Sequence, residues 1–233
     1  MWRAAGVTAA ALAGGLTWAV RGKSSSVFGP SVYRGPGDRK SLALTFDDGP
    51  TPSTPRLLEI LNRHGVPATF FQCGIQVRRN PSIAREVATA GHEIGNHTDT
   101  HPLLAGQSRA FIREQLHAAQ ASIIDATGQT PALFRPPYGV RWFGLRGAQE
   151  QSKLLAVMWT TIGRDWKDPA DVVAARALRG AGNGAILCLH DGREIAADPD
   201  VRNTLDAVAD MVPRLLDQGF QFERVSDLLC RKT

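Results

Sequence analysis

Thr45-Phe46-Asp47-Asp48-Gly49-Pro50 sets two adjacent carboxylates between a short apolar run, Leu42-Ala43-Leu44, and a turn. Carboxylates at the mouth of a buried strand are costly unless each is solvated, paired or bound to a metal. Side chains alternate faces along a regular strand, so neighbours in sequence point apart. For Asp47 and Asp48 to serve one site the chain has to bend there, and Gly49-Pro50 supplies a bend.

Outward from this stretch the pattern alternates. Short apolar or β-branched runs at Ser41–Phe46, 68–71, 93–95, 132–134, 155–159, 185–189 and 221–222 read as strands. Helical spacing lies between them. Leu57, Leu58 and Leu61 mark one helix, and Ile112, Leu116, Ala119 and Ile123 a second. Val201, Leu205, Val208, Val212 and Leu215 mark a third, with a kink or fresh start expected at Pro213. Alternation of this kind implies parallel pairing with helices outside. The expected fold is α/β, a distorted (β/α) barrel of about seven parallel strands. No glycine-rich phosphate loop follows the first strand, which argues against nucleotide binding.

Active sites of parallel barrels sit at the carboxyl ends of the strands. Asp47 and Asp48, then Asn96, His97 and His101, Arg135 and Tyr138, Asp165 and Trp166, and His190 and Asp191 all fall at such positions. His97-Thr98-Asp99-Thr100-His101 places two imidazoles at i and i+4, the spacing that shares one face of a helical turn and can hold a metal. Two histidines and one carboxylate, with open positions for water, form a catalytic rather than a structural metal set, and Asp48 is the natural third ligand. His64 and His117 read as surface residues and His92 as structural.

The chain has 233 residues, 43% hydrophobic and 21% charged, enough to bury a sizeable core and not a disordered composition. Its net charge of +5 reads as a mildly basic surface and would also suit an anionic cell envelope. No Lys/Arg stripe interleaved with aromatics points to nucleic acid. Cys73, Cys188 and Cys230 match no zinc knuckle, and no disulfide is expected. Cys188 lies in an apolar run and reads as a small core residue. Ala4 to Val20 carries no charge and is flanked by Arg3 and Arg21, which reads as an N-terminal membrane anchor or a signal segment. Residues 1–26 are thus expected to be that segment plus a linker, and 27–233 the catalytic domain.

The ordered motifs Thr45–Pro50, His97–His101, Arg135-Pro136-Pro137-Tyr138, Asp165-Trp166 and Leu189-His190-Asp191 resemble those of NodB-type polysaccharide deacetylases, carbohydrate esterase family 4. The resemblance spans about residues 40–230. It implies one divalent metal, zinc with cobalt or nickel as alternatives, held by Asp48, His97 and His101. It implies Asp47 as general base, Arg135 orienting Asp47, and the Tyr138 N–H as an oxyanion donor. His190 would be the general acid, Asp165 would keep it charged, and Trp166 would wall the acetyl pocket. Two positions depart from the family pattern. Ile162 replaces an aspartate, and Cys188 replaces the leucine that lines the methyl pocket.

The expected function is hydrolytic N-deacetylation of an N-acetylglucosamine polymer, peptidoglycan or chitin-like, by an exported, membrane-anchored or periplasmic enzyme. The expected partner is the glycan alone, with no protein partner evident. O-deacetylation of a xylan-type glycan, small-molecule amide hydrolysis and non-catalytic glycan binding are the competing readings.

Overall fold

The computed structural model describes residues 14–230. Among the described residues nine strands form one parallel sheet: β1 (Ser31–Val32), β2 (Ser41–Asp47), β3 (Thr69–Gln72), β4 (Glu93–Asn96), β5 (Leu133–Phe134), β6 (Leu155–Val157), β7 (Thr161–Ile162), β8 (Ala185–His190) and β9 (Gln221–Phe222). Their order is β1-β6-β5-β4-β3-β2-β8-β7, with β9 pairing the start of β2. No pairing joins β1 to β7 among the described residues, so the sheet curls into a distorted barrel left open on that side. The expected seven strands are present, with ends shifted by one or two residues. β1 and β7 are additional. Two-residue strands carry no periodicity of their own and form only because β6 and β8 offer them an edge.

β2 is the axis of the fold. All seven of its residues are buried. It pairs β8 along nearly its whole length, β3 at its carboxyl half and β9 at its first two residues. Leu42, Leu44 and Phe46 alternate into the main apolar cluster, and Phe46 stacks on Phe70 with ring centroids 5.1 Å apart. The helices are α1 (described over 14–21), α2 (Thr54–Arg63), α3 (Gly74–Arg79), α4 (Pro81–Thr89), α5 (Arg109–Thr127), α6 (Leu145–Ser152), α7 (Ala170–Gly180), α8 (Arg202–Asp217) and α9 (Val225–Leu229). Ends follow local chemistry: Pro81 starts α4, the Ser108 hydroxyl accepts from Phe111 N–H at the start of α5, and Gly128 (φ 72°) ends it.

Two local expectations are corrected. α8 makes no fresh start at Pro213 and continues as one helix through it, because burial of Leu205, Val208, Met211, Val212 and Leu215 outweighs the hydrogen bond that the ring removes. His97 to His101 is not a helical turn. It is irregular chain in which Thr98 (φ 66°) and His101 (φ 54°) are left-handed.

Ahead of Val27, Ala19 and Ser25 are already buried, and the buried Arg141 guanidinium donates to the carbonyls of Gly22 and Ser25. No helix among the described residues is long and apolar enough to cross a membrane. The expected anchor or signal segment begins in residues 1–13, outside the described residues.

Phe46→Ala removes the ring from the middle of this core. It should lower unfolding free energy by about 3–5 kcal/mol in urea titration, with an unchanged m-value.

Candidate active site

The carboxyl ends of the strands surround a cleft of about 500 Å³ lined by Asp47, Asp48, His97, His101, Tyr138 and His190, among others. Strand register makes the first connection. Asp47 is the Cα partner of His190 across β2 and β8, so a carboxylate and an imidazole meet without help from any loop.

The two adjacent carboxylates divide as the sequence requires, and the reversal starts one residue earlier than Gly49-Pro50. Asp48 itself is left-handed (φ 76°), which turns its side chain away from that of Asp47. Asp47 Oδ1 lies 2.6 Å from Arg135 Nη1. The guanidinium is completely buried and held on every side. Nη1 also donates to Thr45 Oγ1 (2.7 Å), Nε donates to Val157 O (3.0 Å), and Phe71 lies beneath its plane at 4.1 Å. It is therefore a fixed counter-ion that leaves Asp47 Oδ2 turned toward Cys188 Sγ (3.4 Å) and His190.

Asp48 Oδ1 lies 3.3 Å from His97 Nε2 and 3.1 Å from His101 Nε2. The three side chains are buried, and Asp48 Oδ1 has no hydrogen-bond partner. His97 Nδ1 is 2.7 Å from the Arg135 carbonyl, which can only accept, so Nδ1 carries the proton and Nε2 presents its lone pair. Asp48 Oδ2 accepts from the Glu194 N–H at 2.7 Å. Burial opposes charge on Asp48, yet its contacts with His101 and His97 hold the carboxyl well below the usual range. A tetrahedral ion with bonds of about 2.0–2.1 Å separates its ligand atoms by about 3.3 Å. An orphaned carboxylate oxygen and two imidazole nitrogens at these spacings fit a divalent metal, and the nitrogen–oxygen set suits zinc, cobalt or nickel.

On the other flank, His190 Nδ1 faces Asp165 Oδ1 at 3.0 Å. Asp165 Oδ2 accepts from the His190 N–H and from Thr204 Oγ1, both at 2.7 Å. Burial opposes the His190 charge, but Asp165 overcomes it and raises the imidazole to about 9. The same pairing, against burial, lowers Asp165. Trp166 stands edge-on to His190, centroids 5.0 Å apart, and lines the cleft. Tyr138 is left-handed (φ 58°). Its N–H has no partner among the described residues, whereas the Gly139 and Val140 N–H groups are taken by carbonyls.

Seven of the ten sequence-derived site residues line one cleft, and Arg135 and Asp165 are buried behind it, where they hold Asp47 and His190. Cys188 belongs to the cluster but is buried behind Asp47 and does not line the cleft, whereas Ile162 does. His92 is structural as expected: it is buried, its Nδ1 accepts from Ala68 N–H, and burial lowers it to about 4.

Sequence reasoning missed several supporting residues. Thr45 was legible, since it lies two residues from Asp47 on the same strand face. Thr204 on α8 and Glu194 in the loop after β8 carry no motif. Asp191 had no assigned role; it now braces the turn. Its Oδ2 accepts from Thr54 Oγ1 (2.6 Å), its carbonyl accepts from Thr51 Oγ1 (2.7 Å), and burial pushes its carboxyl up to about 7. A Cβ on Gly49 would overlap the Asp191 carboxylate, which is why glycine stands there.

Comparison with known proteins places the chain. A family model described as polysaccharide deacetylase matches residues 34–153. The chain is 36% identical over 210 residues to the peptidoglycan-N-acetylglucosamine deacetylase PgdA of Listeria monocytogenes, covering 89% of this chain and 42% of that protein. It is 35% identical to a chitooligosaccharide deacetylase of Bradyrhizobium sp., covering 85% of this chain and 96% of that one. A crystal structure of a CE4 family pseudoenzyme from Bacillus anthracis superposes with a TM-score of 0.79 at 32% identity, covering 88% of this chain and 70% of that chain. The chain belongs to the polysaccharide deacetylase family.

Two predictions come from this geometry. The charged His190–Asp165 pair stabilises the folded state fully below the ordinary imidazole value near 6.5, and the contribution disappears as pH rises through about 9. Asp165→Asn should cost on the order of 2 kcal/mol at pH 6 and much less near pH 9.5, read by urea unfolding across that range. Gly49→Ala should lower Tm by several degrees and reduce metal uptake, because the displaced turn carries Asp48.

Proposed function

We propose that this chain hydrolyses the acetamide of N-acetylated hexosamine units in a glycan of the cell envelope, releasing acetate and leaving the free amine. The observation that carries this reading is the completeness of the set. A buried ligand trio, a carboxylate fixed by Arg135 and an imidazole charged by Asp165 face one cleft. Fold likeness alone would not suffice, since neighbours of similar TM-score include a pseudoenzyme.

A divalent cation held by Asp48, His97 and His101 would supply Lewis acidity toward the acetamide carbonyl and the attacking water. Asp47 accepts the proton of that water at Oδ2 as its hydroxyl adds to the acetyl carbon. Arg135 holds Asp47 Oδ1 and so keeps Oδ2 aimed at the cleft. The Tyr138 N–H donates to the oxygen that becomes negative. His190 passes a proton to the nitrogen as the carbon–nitrogen bond breaks, so the amine leaves neutral. Trp166 and Ile162 wall the pocket for the acetyl methyl. The Ala-rich stretch without charge from Ala4 to Val20 and relatives named for peptidoglycan support a place in the envelope, and the catalytic domain takes in the packed residues just ahead of Val27 as well as 27–233.

Purified protein should release acetate from N-acetylated peptidoglycan or chitooligosaccharides, and a chelator should stop it until zinc is restored. Metal-replete protein that releases none from either would sink this function. Asp47→Asn should abolish turnover with metal still bound by elemental analysis, and His97→Ala should lose both. His190→Ala should slow turnover by about 10²–10⁴-fold, the usual worth of general acid catalysis.

A further inference from the structure

Arg21 lies outside every motif, yet it lines the same cleft as Asp47, His101 and His190. The chain on either side of it is clamped. Arg141, itself buried, donates from its backbone N–H to Val20 O (3.1 Å) and from its guanidinium to Gly22 O and Ser25 O. Ser25 Oγ donates to Ala19 O (3.0 Å), and Lys23 Nζ donates to Thr160 O (2.6 Å) beyond the end of β6. The backbone around residue 21 is therefore fixed to the domain. The Arg21 guanidinium is exposed and has no ion pair or hydrogen bond among the described residues.

Arg193, in the loop after β8, lines the cleft as a second exposed cation and donates to Trp166 O at 3.2 Å. The acids of the cleft are already engaged. Asp47 is paired with Arg135, Asp48 Oδ2 accepts from the Glu194 N–H while its Oδ1 faces the His97 and His101 Nε2 atoms, and Glu194 Oε1 accepts from Tyr138 Oη at 3.1 Å. A neutral acetylated chain offers a free guanidinium no charged partner. A glycan whose neighbouring sugar carries a carboxylate offers a charge-assisted, two-pronged one. The basic balance of the chain (+5) acts in the same direction by concentrating a polyanion near the surface.

Resting on the deacetylase reading above, we infer that Arg21, assisted by Arg193, selects an N-acetylated glycan bearing carboxylates on the adjacent sugar over a neutral chitin-like chain. An ether-linked lactate on that sugar, or its peptide extension, is the chemical class that fits. Arg21 is then a specificity residue that acts on binding and leaves the proton transfers untouched.

The test compares three substrates: glycan strands with free lactyl carboxylates, the same strands with those groups converted to neutral amides, and an N-acetylated chitopentaose. Full-length protein should show a KM about five- to tenfold lower for the carboxylated than for the amidated strands, the worth of one charged contact. Arg21→Gln should erase that gap with kcat unchanged, Arg21→Lys should keep part of it, and chitopentaose should respond to neither variant. Salt at about 0.5 M should narrow the gap in the unmodified protein. Co-sedimentation with insoluble carboxylated strands should follow the same order without turnover. Equal KM values on carboxylated and amidated strands, or an equal effect of Arg21→Gln on chitopentaose, would overturn the inference. Arg21-dependent co-sedimentation without acetate release from any substrate would keep the contact and overturn the deacetylase reading.

Discussion

Two carboxylates that are adjacent in sequence and buried at the end of one strand cannot both remain unpaired, and the site is built around their separate compensation. Asp47 is neutralised by an arginine with no exposed surface, and breaking such a pair by removing one partner costs about 3–5 kcal/mol. Asp48 faces the Nε2 atoms of His97 and His101 and retains an oxygen with no hydrogen-bond partner, a set that a divalent cation would complete. The same division keeps the chemistry workable. A carboxylate bound to a metal is a poor base, and one held by an arginine at a single oxygen keeps its other oxygen free to take a proton.

Arg135 ties the halves of the site together. Its side chain holds Asp47, and its carbonyl accepts from His97 Nδ1 and so directs the lone pair of Nε2 toward Asp48. One residue after β5 thereby fixes the orientation of Asp47 and the tautomer of His97. His190 is anchored separately, through Asp165. α8 brings Thr204 to Asp165, which is why a helix whose apolar face packs against the sheet also reaches the residues behind the cleft.

The loops that carry these residues adopt uncommon backbone. Asp48, Thr98, His101, Tyr138, Arg164 and Glu194 are left-handed non-glycine residues in loops after strand ends near the cleft. Each such conformation costs of order 1 kcal/mol or more and persists only where surrounding contacts over-determine it. Here the contacts are visible, as in the Glu194 N–H bound to Asp48 Oδ2 and the His97 carbonyl accepting from the Cys73 thiol. The free Tyr138 N–H is a direct product of that left-handed turn.

The alternation of apolar runs and helical spacing was enough to place seven parallel strands and the polar residues at their carboxyl ends, because burial of a strand and amphipathicity of a helix are written in local periodicity. The Asp-Asp pair, the histidine spacing and the later Arg135, Asp165 and His190 were readable for the same reason: each follows a recognisable strand. Tertiary structure decided what periodicity does not encode. It added β1 and β7, which exist only as partners of longer strands. It replaced a supposed helical turn at His97–His101 with left-handed backbone, and it carried α8 through Pro213. It also recruited Thr204, Glu194 and Arg21 from distant stretches with no motif. These outcomes depend on contacts between residues far apart in the chain, whose energies exceed local preference and leave no pattern in the sequence near any one of them.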